Sequence, residues 1–272
     1  MPANSRRVQV NGIELNVAVE GAGPDVLLVH GFPDDHTVWR NQIPVLVAAG
    51  YRVIAPDTRG CGESAMPSRT ADYAIDRLVL DLVGVLDALG VRKVRLVAHD
   101  WGALQGWHLA MRHPERVERY IALSCGHPAA YAGAGLEQKL RAYYVLVIQL
   151  RGVIEFLATR FDWLFFRIMS RYPKEFPHWK DRLSRPGRLT AGFNYYRANL
   201  RAMFFSDGLS PVTVPVVGIW SSGDIFLTED QMTGSAGFCN AGWQYHRLEG
   251  CNHWMQLDAP EALNPLLLEH LR

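Results

Sequence analysis

The chain has 272 residues, of which 49% are hydrophobic and 20% are charged, and its formal net charge is +1. This composition supplies a large core and argues against disorder, and the length suits an α/β enzyme with an insertion. No basic or acidic stretch stands out, which argues against nucleic acid or an anionic membrane as a partner. No apolar run reaches membrane-spanning length, so no membrane span is expected.

The four cysteines show neither the spacing of a metal site nor a short-range disulfide framework. They are Cys61, Cys125, Cys239 and Cys251. Such cysteines are typical of free thiols in a reducing compartment, and the N-terminus lacks an apolar signal core. A cytoplasmic location is therefore expected.

Short apolar strands alternate with helices over the first 125 residues. Residues 8–10 and 14–19 flank Asn11-Gly12, which is a strong hairpin signal. The strands predicted after this hairpin are 26–29, 52–55, 94–98 and 120–124. The helices predicted between them are 38–49, 75–89 and 104–113. This alternation predicts an α/β fold whose mostly parallel central sheet has helices on both faces.

The alternation stops after residue 125 and resumes near residue 211. The intervening segment has no clear strand pattern, and prolines at 173, 177 and 186 punctuate it. Its main predicted helices are 136–150, 153–169 and 188–204. Strands at 214–220 and 243–248 and a helix at 259–271 then follow. We therefore expect a core domain of residues 1–125 and 211–272, with a helical cap at 126–210.

The most informative motif is the segment His99-Asp100-Trp101-Gly102, which follows a predicted strand and begins a predicted helix. A sharp turn from strand to helix lifts one side chain into a cleft, as in the elbow that carries a catalytic nucleophile. The lifted residue is Asp100 rather than a serine. A carboxylate there favours displacement at an alkyl carbon through an enzyme-bound ester. The alternative is that Asp100 is only a helix N-cap.

Two further residues complete a triad in the order nucleophile, acid, base. Asp224 follows the strand 214–220, and His253 follows the strand 243–248. His253 would activate a water as general base, and Asp224 would orient it and stabilise its charged form. The alternatives are that Asp224 is a turn residue beside Gly223 and that His253 is structural.

The segment His30-Gly31-Phe32-Pro33 lies after an early strand, where an oxyanion hole takes one of its N–H groups. The backbone N–H groups of Phe32 and Trp101 are the predicted donors. An ordinary turn near Pro33 is the alternative. The glycine-rich loop 57–64 lacks the lysine of a phosphate-binding loop and is interpreted as structural.

These motifs, together with Gly250-Cys251-Asn252-His253-Trp254, resemble those of soluble epoxide hydrolases and the related haloalkane dehalogenases over nearly the whole chain. The resemblance implies the α/β-hydrolase fold. It also implies two cap tyrosines that hold the epoxide oxygen, which by position are Tyr144 and Tyr196. Their neighbours Tyr143 and Tyr195 leave each assignment open by one residue, and tyrosines on helices are often packing residues.

The function implied by the resemblance is hydrolysis of a hydrophobic epoxide to a vicinal diol without cofactor or metal. An opening epoxide develops alkoxide charge, which two phenols would stabilise and protonate. The substrate is expected to contact His30, Phe32, Trp101, Tyr144 and Tyr196. A homodimer is the assembly to test. Some of the cap aromatics are expected to line an apolar pocket for a hydrophobic substrate. The cap aromatics include Phe156, Phe161, Trp163, Phe165, Phe166 and Trp179.

Two alternatives remain open at this stage. A haloalkane dehalogenase would use the same nucleophile and needs N–H donors for a halide, for which Trp101, Trp163 and Trp179 are candidates. A non-catalytic protein that binds a hydrophobic ligand is less consistent with a complete triad. A serine esterase is disfavoured because no serine lies at the elbow. The site rather than the fold separates these functions.

Overall fold

The computed structural model describes residues 5–205 and 209–272, apart from the side chain of Phe165. Eight strands form one sheet in the order β1-β2-β4-β3-β5-β6-β7-β8. The strands are β1 (Ser5–Val10), β2 (Ile13–Glu20), β3 (Asp25–Val29), β4 (Arg52–Pro56), β5 (Val94–His99), β6 (Val117–Leu123), β7 (Val216–Gly223) and β8 (Trp243–Asn252). The pairs β1–β2 and β2–β4 are antiparallel, and all other neighbouring strands are parallel. The predicted α/β class with a mostly parallel sheet is confirmed.

The helices of the described residues fall into three groups along the chain. Those before β6 are α1 (Ile43–Ala48), α2 (Ile75–Ala88) and α3 (Trp101–Arg112). Those between β6 and β7 are α4 (Pro128–Gly133), α5 (Leu136–Arg141), α6 (Tyr143–Ile148), α7 (Val153–Ser170), α8 (Phe176–Leu183), α9 (Arg188–Ala198) and α10 (Leu200–Phe204). Those after β7 are α11 (Glu229–Thr233), α12 (Met255–Asp258) and α13 (Pro260–His270). Short 3₁₀ helices span His36–Trp39, Thr70–Tyr73, Pro114–Arg116 and Gly234–Phe238.

The core lies on both faces of the central strands. The apolar residues 26–29 of β3 and 120–123 of β6 are fully buried, as is typical of a parallel strand covered on both faces. Helix α2 buries Leu78, Leu82 and Leu86 at helical spacing against this sheet. The carboxyl ends of the parallel strands therefore meet at one edge of a rigid sheet, where a binding crevice is expected in such folds.

Three helices predicted as continuous are divided in the structure, and side chains explain two of these breaks. The predicted helix 38–49 is a 3₁₀ turn followed by α1, because Pro44 lies in the first turn of α1 and has no N–H to continue an earlier helix. The predicted helix 188–204 divides at Asn199. The Asn199 amide donates to the carbonyl oxygens of Tyr195 and Tyr73, so it replaces helical hydrogen bonds at this point.

The remaining helices of 126–210 also differ from prediction. The predicted helix 136–150 divides at Ala142 into α5 and α6. Helix α7 has a kink at residues 160–163, where Phe161, Asp162 and Trp163 have positive φ. Helix α8 was not predicted, because Pro177 was interpreted as an interruption. In the structure Pro177 lies in the first turn of α8, where proline is tolerated. Residues 1–4 of the proposed core domain lie outside the described residues. Residues 206–208 and the Phe165 side chain, both in the proposed cap, lie outside them as well.

Within 5–205 and 209–272, no single helix combines the length and apolar character needed to cross a membrane. The segments Leu136–Ile148 and Val153–Leu164 would together reach that length and hydropathy. They are bent by 100° at the break between them.

Candidate active site

The turn between β5 and α3 holds Asp100 in an unusual backbone conformation. Its φ is 53° and its ψ is −122°, and a non-glycine residue with positive φ is strained. At Gly102 a Cβ atom would collide with the carbonyl oxygen of Val29, so only glycine lets α3 begin this close to β3. The strained turn projects the Asp100 carboxylate away from the sheet edge.

The two oxygens of Asp100 face different partners. Oδ1 accepts a hydrogen bond of 2.9 Å from the Phe32 N–H, and Gly31 has no Cβ that would displace this carboxylate. Burial raises the pKa of Asp100, but hydrogen bonding and charge from His253 and a hydrogen bond from the Trp101 backbone outweigh it. The net pKa is below the usual range of an aspartate. Asp100 is therefore ionised, as a nucleophile must be.

His253 lies between two carboxylates. Its Nδ1–H donates to Asp224 Oδ2 at 2.7 Å, and its Nε2 lies 3.6 Å from Asp100 Oδ2. Burial lowers the pKa of His253, but the charge of Asp224, the hydrogen bond to it and the nearby Asp100 carboxylate outweigh burial and raise the pKa to about 10. The surroundings of the ring therefore favour its imidazolium form.

Asp224 is held by backbone on one side and by His253 on the other. Its Oδ1 accepts hydrogen bonds from the N–H groups of Phe226 and Leu227, at 2.8 and 2.9 Å. This leaves Oδ2 for the histidine. The turn after β7 thus orients the carboxylate, and the carboxylate orients the imidazole.

Tyr144 on α6 and Tyr196 on α9 face the same cavity as Asp100 and His253. Their rings meet edge to face with centroids 5.8 Å apart. Burial raises the pKa of both phenols well above the ordinary value for tyrosine. Both hydroxyls therefore stay protonated and can donate hydrogen bonds.

The neighbouring tyrosines point elsewhere. The Tyr143 ring is half exposed and its hydroxyl lies 2.9 Å from the Met169 sulfur. The Tyr195 hydroxyl is buried and donates to the Arg59 carbonyl oxygen at 2.6 Å, with Thr58 Oγ1 at 3.0 Å. Of each adjacent pair, only the second tyrosine lines the cavity that Asp100 also lines.

The cavity above Asp100 is partly open to solvent and mainly apolar. Its apolar walls come from both the sheet edge and the helices between β6 and β7. They include Phe32, Val147, Ile148, Ile154, Ala158, Phe166, Met169, Phe193, Phe226 and Trp254. A second cavity of about 480 Å³ shares Asp100, Tyr144 and Tyr196 with the first. An apolar pocket with a few converging polar groups is typical of a small-molecule site.

His30 lies beneath this site and does not line either of the two cavities. Its Nε2 accepts from the Thr58 N–H at 3.0 Å, so its Nδ1–H donates to the Gly31 carbonyl at 2.8 Å. Burial lowers the pKa of His30, in keeping with this neutral tautomer. The geometry suits a residue that supports the 30–33 loop.

Asp34 is a buried residue that the sequence analysis missed. Its two oxygens each accept an indole N–H, one from Trp179 on α8 at 2.8 Å and one from Trp254 at 3.0 Å. Burial raises its pKa to about 7. The sequence signal that could have identified Asp34 is its position as an acidic residue directly after His30-Gly31-Phe32-Pro33. Because the indole N–H of Trp179 donates to Asp34, Trp179 is not free to bind a halide. The ring of Trp163, another candidate halide donor, packs against Phe166.

Among residues 5–205 and 209–272, one group of side chains has ligand atoms close enough for a metal ion. Atoms of Asp35, His36 and Asp57 lie within 4.8 Å of one another. Asp57 accepts hydrogen bonds from both the backbone and the ring of His36 and also from the Glu63 N–H. Arg182 forms an ion pair of 3.1 Å with Asp35. These contacts already satisfy the carboxylates as a structural network.

Comparison with known proteins agrees with this geometry. The model of the α/β hydrolase fold family matches residues 24–260. The chain is 34% identical to the AB hydrolase superfamily protein YfhM of Bacillus subtilis, over 97% of this chain and 96% of that protein. It is 31% identical to epoxide hydrolase A of Mycobacterium tuberculosis, over 98% of this chain and 96% of that protein.

A solved structure gives the same result. An epoxide hydrolase from Bacillus megaterium, crystallised with an inhibitor, superimposes with a TM-score of 0.88 at 26% identity. The match covers 98% of this chain and 99% of that one. The chain therefore belongs to the α/β-hydrolase fold family and, within it, to the epoxide hydrolases.

Proposed function

We propose that this protein hydrolyses hydrophobic epoxides to vicinal diols through an ester on Asp100. One arrangement carries the proposal. Asp100, Tyr144 and Tyr196 line the same apolar cavity, and His253 Nε2 lies 3.6 Å from Asp100 Oδ2. Residues 126–210 act as the cap that brings the two phenols to the core.

In the first step, Asp100 Oδ2 forms a bond to an epoxide carbon and the ring C–O bond breaks. The departing oxygen carries the developing negative charge. Tyr144 and Tyr196 donate hydrogen bonds to this oxygen, and one of them transfers its proton. The apolar walls exclude water, so that the carboxylate attacks the substrate carbon without competition.

In the second step, the ester is hydrolysed. Esterification removes the negative charge of Asp100, which is one of the two charges that raise the pKa of His253. The pKa of His253 therefore falls. His253 releases a proton, which replaces the proton that the tyrosine gave to the epoxide oxygen. Neutral His253 then takes a proton from water, and the resulting hydroxide attacks the Asp100 carboxyl carbon.

The oxyanion formed in this attack develops on Oδ1. That oxygen already accepts the Phe32 N–H. The Trp101 backbone N–H, which also favours the ionised Asp100 carboxylate, is the proposed second donor. Collapse of the intermediate breaks the bond between the carboxyl carbon and Oδ2, and the departing oxygen takes the proton of the added hydroxyl group. Asp100 thus returns to a carboxylate, and His253 keeps the proton that it took from water. The diol leaves with the former aspartate oxygen, and Asp100 keeps one oxygen from water.

Oxygen-18 in a single turnover tests this route. Enzyme in excess over an aryl epoxide is run through less than one turnover in labelled water. We expect an unlabelled diol, with the heavy isotope in the peptide that contains Asp100. A labelled diol with unlabelled Asp100 would show that His253 and Asp224 direct water straight to the epoxide carbon.

A haloalkane dehalogenase is the competing function with the same nucleophile. The occupied indole of Trp179 disfavours it, because a halide needs free N–H donors in the cavity. A panel of aryl and alkyl epoxides assayed beside 1-haloalkanes separates the two. Turnover of haloalkanes with none of the epoxides would overturn the proposal.

We also propose that the protein works in the cytoplasm, in a reducing environment. Support comes from its four free thiols, two of which have a pKa that burial raises to about 12, namely Cys61 and Cys239. Labelling of all four thiols without prior reduction would agree with this proposal. A homodimer remains a prediction for light scattering to test.

A further inference from the structure

The outer surface of α5, α6 and α7 is unusually apolar. Of fourteen exposed large hydrophobic side chains in the described residues, eleven lie between residues 136 and 168. We call these eleven the cap patch: Leu136, Leu140, Tyr143, Leu146, Leu150, Val153, Phe156, Leu157, Phe161, Leu164 and Ile168. A cluster of this size on a folded surface is typical of an interaction site.

The cap patch is not explained by the needs of the cavity. The cavity uses the opposite, buried faces of the same helices, through Ile148 on α6 and Ile154 and Ala158 on α7. A surface helix normally pairs such a buried face with a polar outer face. Here the outer face exposes Phe156 and Phe161 instead.

The segment that carries the cap patch is rich in basic residues. Residues 136–174 contain seven lysines and arginines against three acidic residues, although the whole chain carries only +1. The rest of the chain is net acidic, so the overall balance concealed this concentration. Six of the seven cations are exposed: Lys139, Arg151, Arg160, Arg167, Arg171 and Lys174.

The three acidic residues are already paired. Glu155 binds Arg197 at 2.7 Å, and Glu137 binds Arg141 at 2.6 Å. Asp162 forms an ion pair with Lys180. The surface around the cap patch is therefore positive, and it would attract an anionic partner.

A lipid surface satisfies both features. Amphipathic helices with apolar residues on one side and lysine and arginine at the margins lie in the interfacial plane of a membrane. Anionic headgroups attract such cations. The bend of 100° between Leu136–Ile148 and Val153–Leu164 suits segments that lie on a bilayer rather than cross it.

A second copy of the chain fits the charges less well. A twofold dimer through the cap patch would bring the same surface against itself. The exposed cations of one copy would then face those of the other, while the three acidic residues of this segment are already engaged within their own copy. We propose that the cap patch docks this protein on an anionic lipid surface.

The location of the cap patch has a consequence for the substrate. A single helix, α7, separates the cavity from the patch, with Ile154 and Ala158 inside and Phe156 and Leu157 outside. An apolar epoxide dissolved in the bilayer would be concentrated at this wall. This consequence rests on the proposed function, whereas docking itself is measured without substrate.

Flotation of the full chain with lipid vesicles tests the docking. We expect binding to phosphatidylcholine vesicles that contain about one third phosphatidylserine, weaker binding to pure phosphatidylcholine, and loss of affinity as salt rises. The triple variant Leu146→Ser, Phe156→Ser and Phe161→Ser should lose at least about tenfold in affinity. Leu80→Ser, on the exposed face of α2, is the matched control and should bind like wild type.

The cations are tested in the same way. Arg151→Gln and Arg160→Gln should each weaken binding to the anionic vesicles by about fivefold. Arg92→Gln, exposed on the core, should leave it unchanged. Hydrolysis of a water-dissolved epoxide should be the same in all these variants, so a failure of docking is distinguishable from a failure of the proposed function.

Two outcomes would overturn the inference. One is the absence of vesicle binding, or binding that the triple variant retains in full. The other is a wild-type dimer, seen by light scattering, that the triple variant dissociates while neither protein binds vesicles. That result would assign the cap patch to a second copy of the chain.

Discussion

The two halves of the candidate site are held in different ways. The carboxylates at the sheet edge are positioned by backbone: Asp100 by a strained turn and the Phe32 N–H, and Asp224 by two N–H groups of its own loop. The phenols from the cap are positioned by ring packing. Tyr196 meets Trp101 edge to face at 5.0 Å, and Tyr144 meets Phe226 at 5.7 Å.

This difference separates what each half contributes. A short turn between a strand and a helix holds a nucleophile within a few tenths of an ångström, because its backbone has little freedom. Packed rings on helices are oriented by many weak contacts, so a single substitution changes the orientation of a ring only partly. We therefore expect all-or-none effects at the sheet edge and graded effects in the cap.

The largest effect is expected for Asp100→Ala, which removes the proposed nucleophile. Diol formation should fall by about 10⁴ or more, since residues that act as a unit in covalent catalysis fail together. Steady-state assays with an aryl epoxide measure the loss, and near-ultraviolet circular dichroism checks the fold. A folded Asp100→Ala variant that keeps more than a small fraction of wild-type activity would contradict the expectation of all-or-none effects at the sheet edge.

Replacement of His253 should separate the two chemical steps. His253→Gln keeps the Asp100 nucleophile but removes the base, so turnover should fall by about 10³ to 10⁴ while the ester accumulates. Intact-protein mass spectrometry should show one added epoxide, located on the peptide of Asp100. No adduct, or an adduct on Cys125, would contradict the assigned role.

The pH dependence of the second step follows from the pKa of His253. In the resting site the charges of Asp224 and Asp100 raise this pKa to about 10. Esterification removes the Asp100 charge, so the rate of ester hydrolysis should rise with pH through a midpoint below 10. Rapid-quench measurements of ester decay give this midpoint. A midpoint that is not lowered from the resting value would mean that the Asp100 charge does not control the base.

The cap phenols should show intermediate effects. Tyr144→Phe and Tyr196→Phe each remove a donor to the epoxide oxygen, so the double variant should lose about 10² to 10³ in kcat. The matched control Tyr143→Phe should leave kcat unchanged, because its hydroxyl faces Met169.

The second control is a buried phenol outside the cavity. Tyr195→Phe removes the hydrogen bond to the Arg59 carbonyl, which should lower the free energy of unfolding by about 1 to 2 kcal/mol without changing kcat. Equal losses of kcat in all four single variants would show packing effects rather than donation.

The smallest effect is expected where α8 of the cap meets the core. A hydrogen bond and the charge of Asp35 raise the pKa of His178, whose Nε2 lies 3.3 Å from Asp35. The folded pKa is above the unfolded one, so this pair stabilises the fold below pH 6.5 and loses its contribution as pH rises through the raised pKa. His178→Gln should therefore cost about 1 kcal/mol of unfolding free energy near pH 6 and less near pH 9.

Urea unfolding at the two pH values measures this difference. The matched control is His113→Gln, because His113 lies on the core with a similar exposed fraction and is 3.6 Å from the exposed Glu115. This control should change little at either pH. An equal loss at both pH values for His178→Gln would mean that the histidine acts through packing.

The sequence by itself predicted the parallel sheet, and the order and strand-end positions of Asp100, Asp224 and His253. These features depend on local rules: apolar runs form strands, a tight turn needs glycine at 102, and strand ends meet at one edge. The cap helices were predicted less well. Asn199 ends α9 by bonding to Tyr195 and Tyr73, and this contact exists only after the chain has folded.

The tertiary structure alone decided which side chains the cap delivers to the site. Successive residues on a helix point about 100° apart, so Tyr143 and Tyr144, like Tyr195 and Tyr196, cannot both face one cavity. Their sequence context is the same, and only the packing of α6 and α9 on the core selects one of each pair. The same holds for Asp34, whose two tryptophan partners are 145 and 220 residues away along the chain.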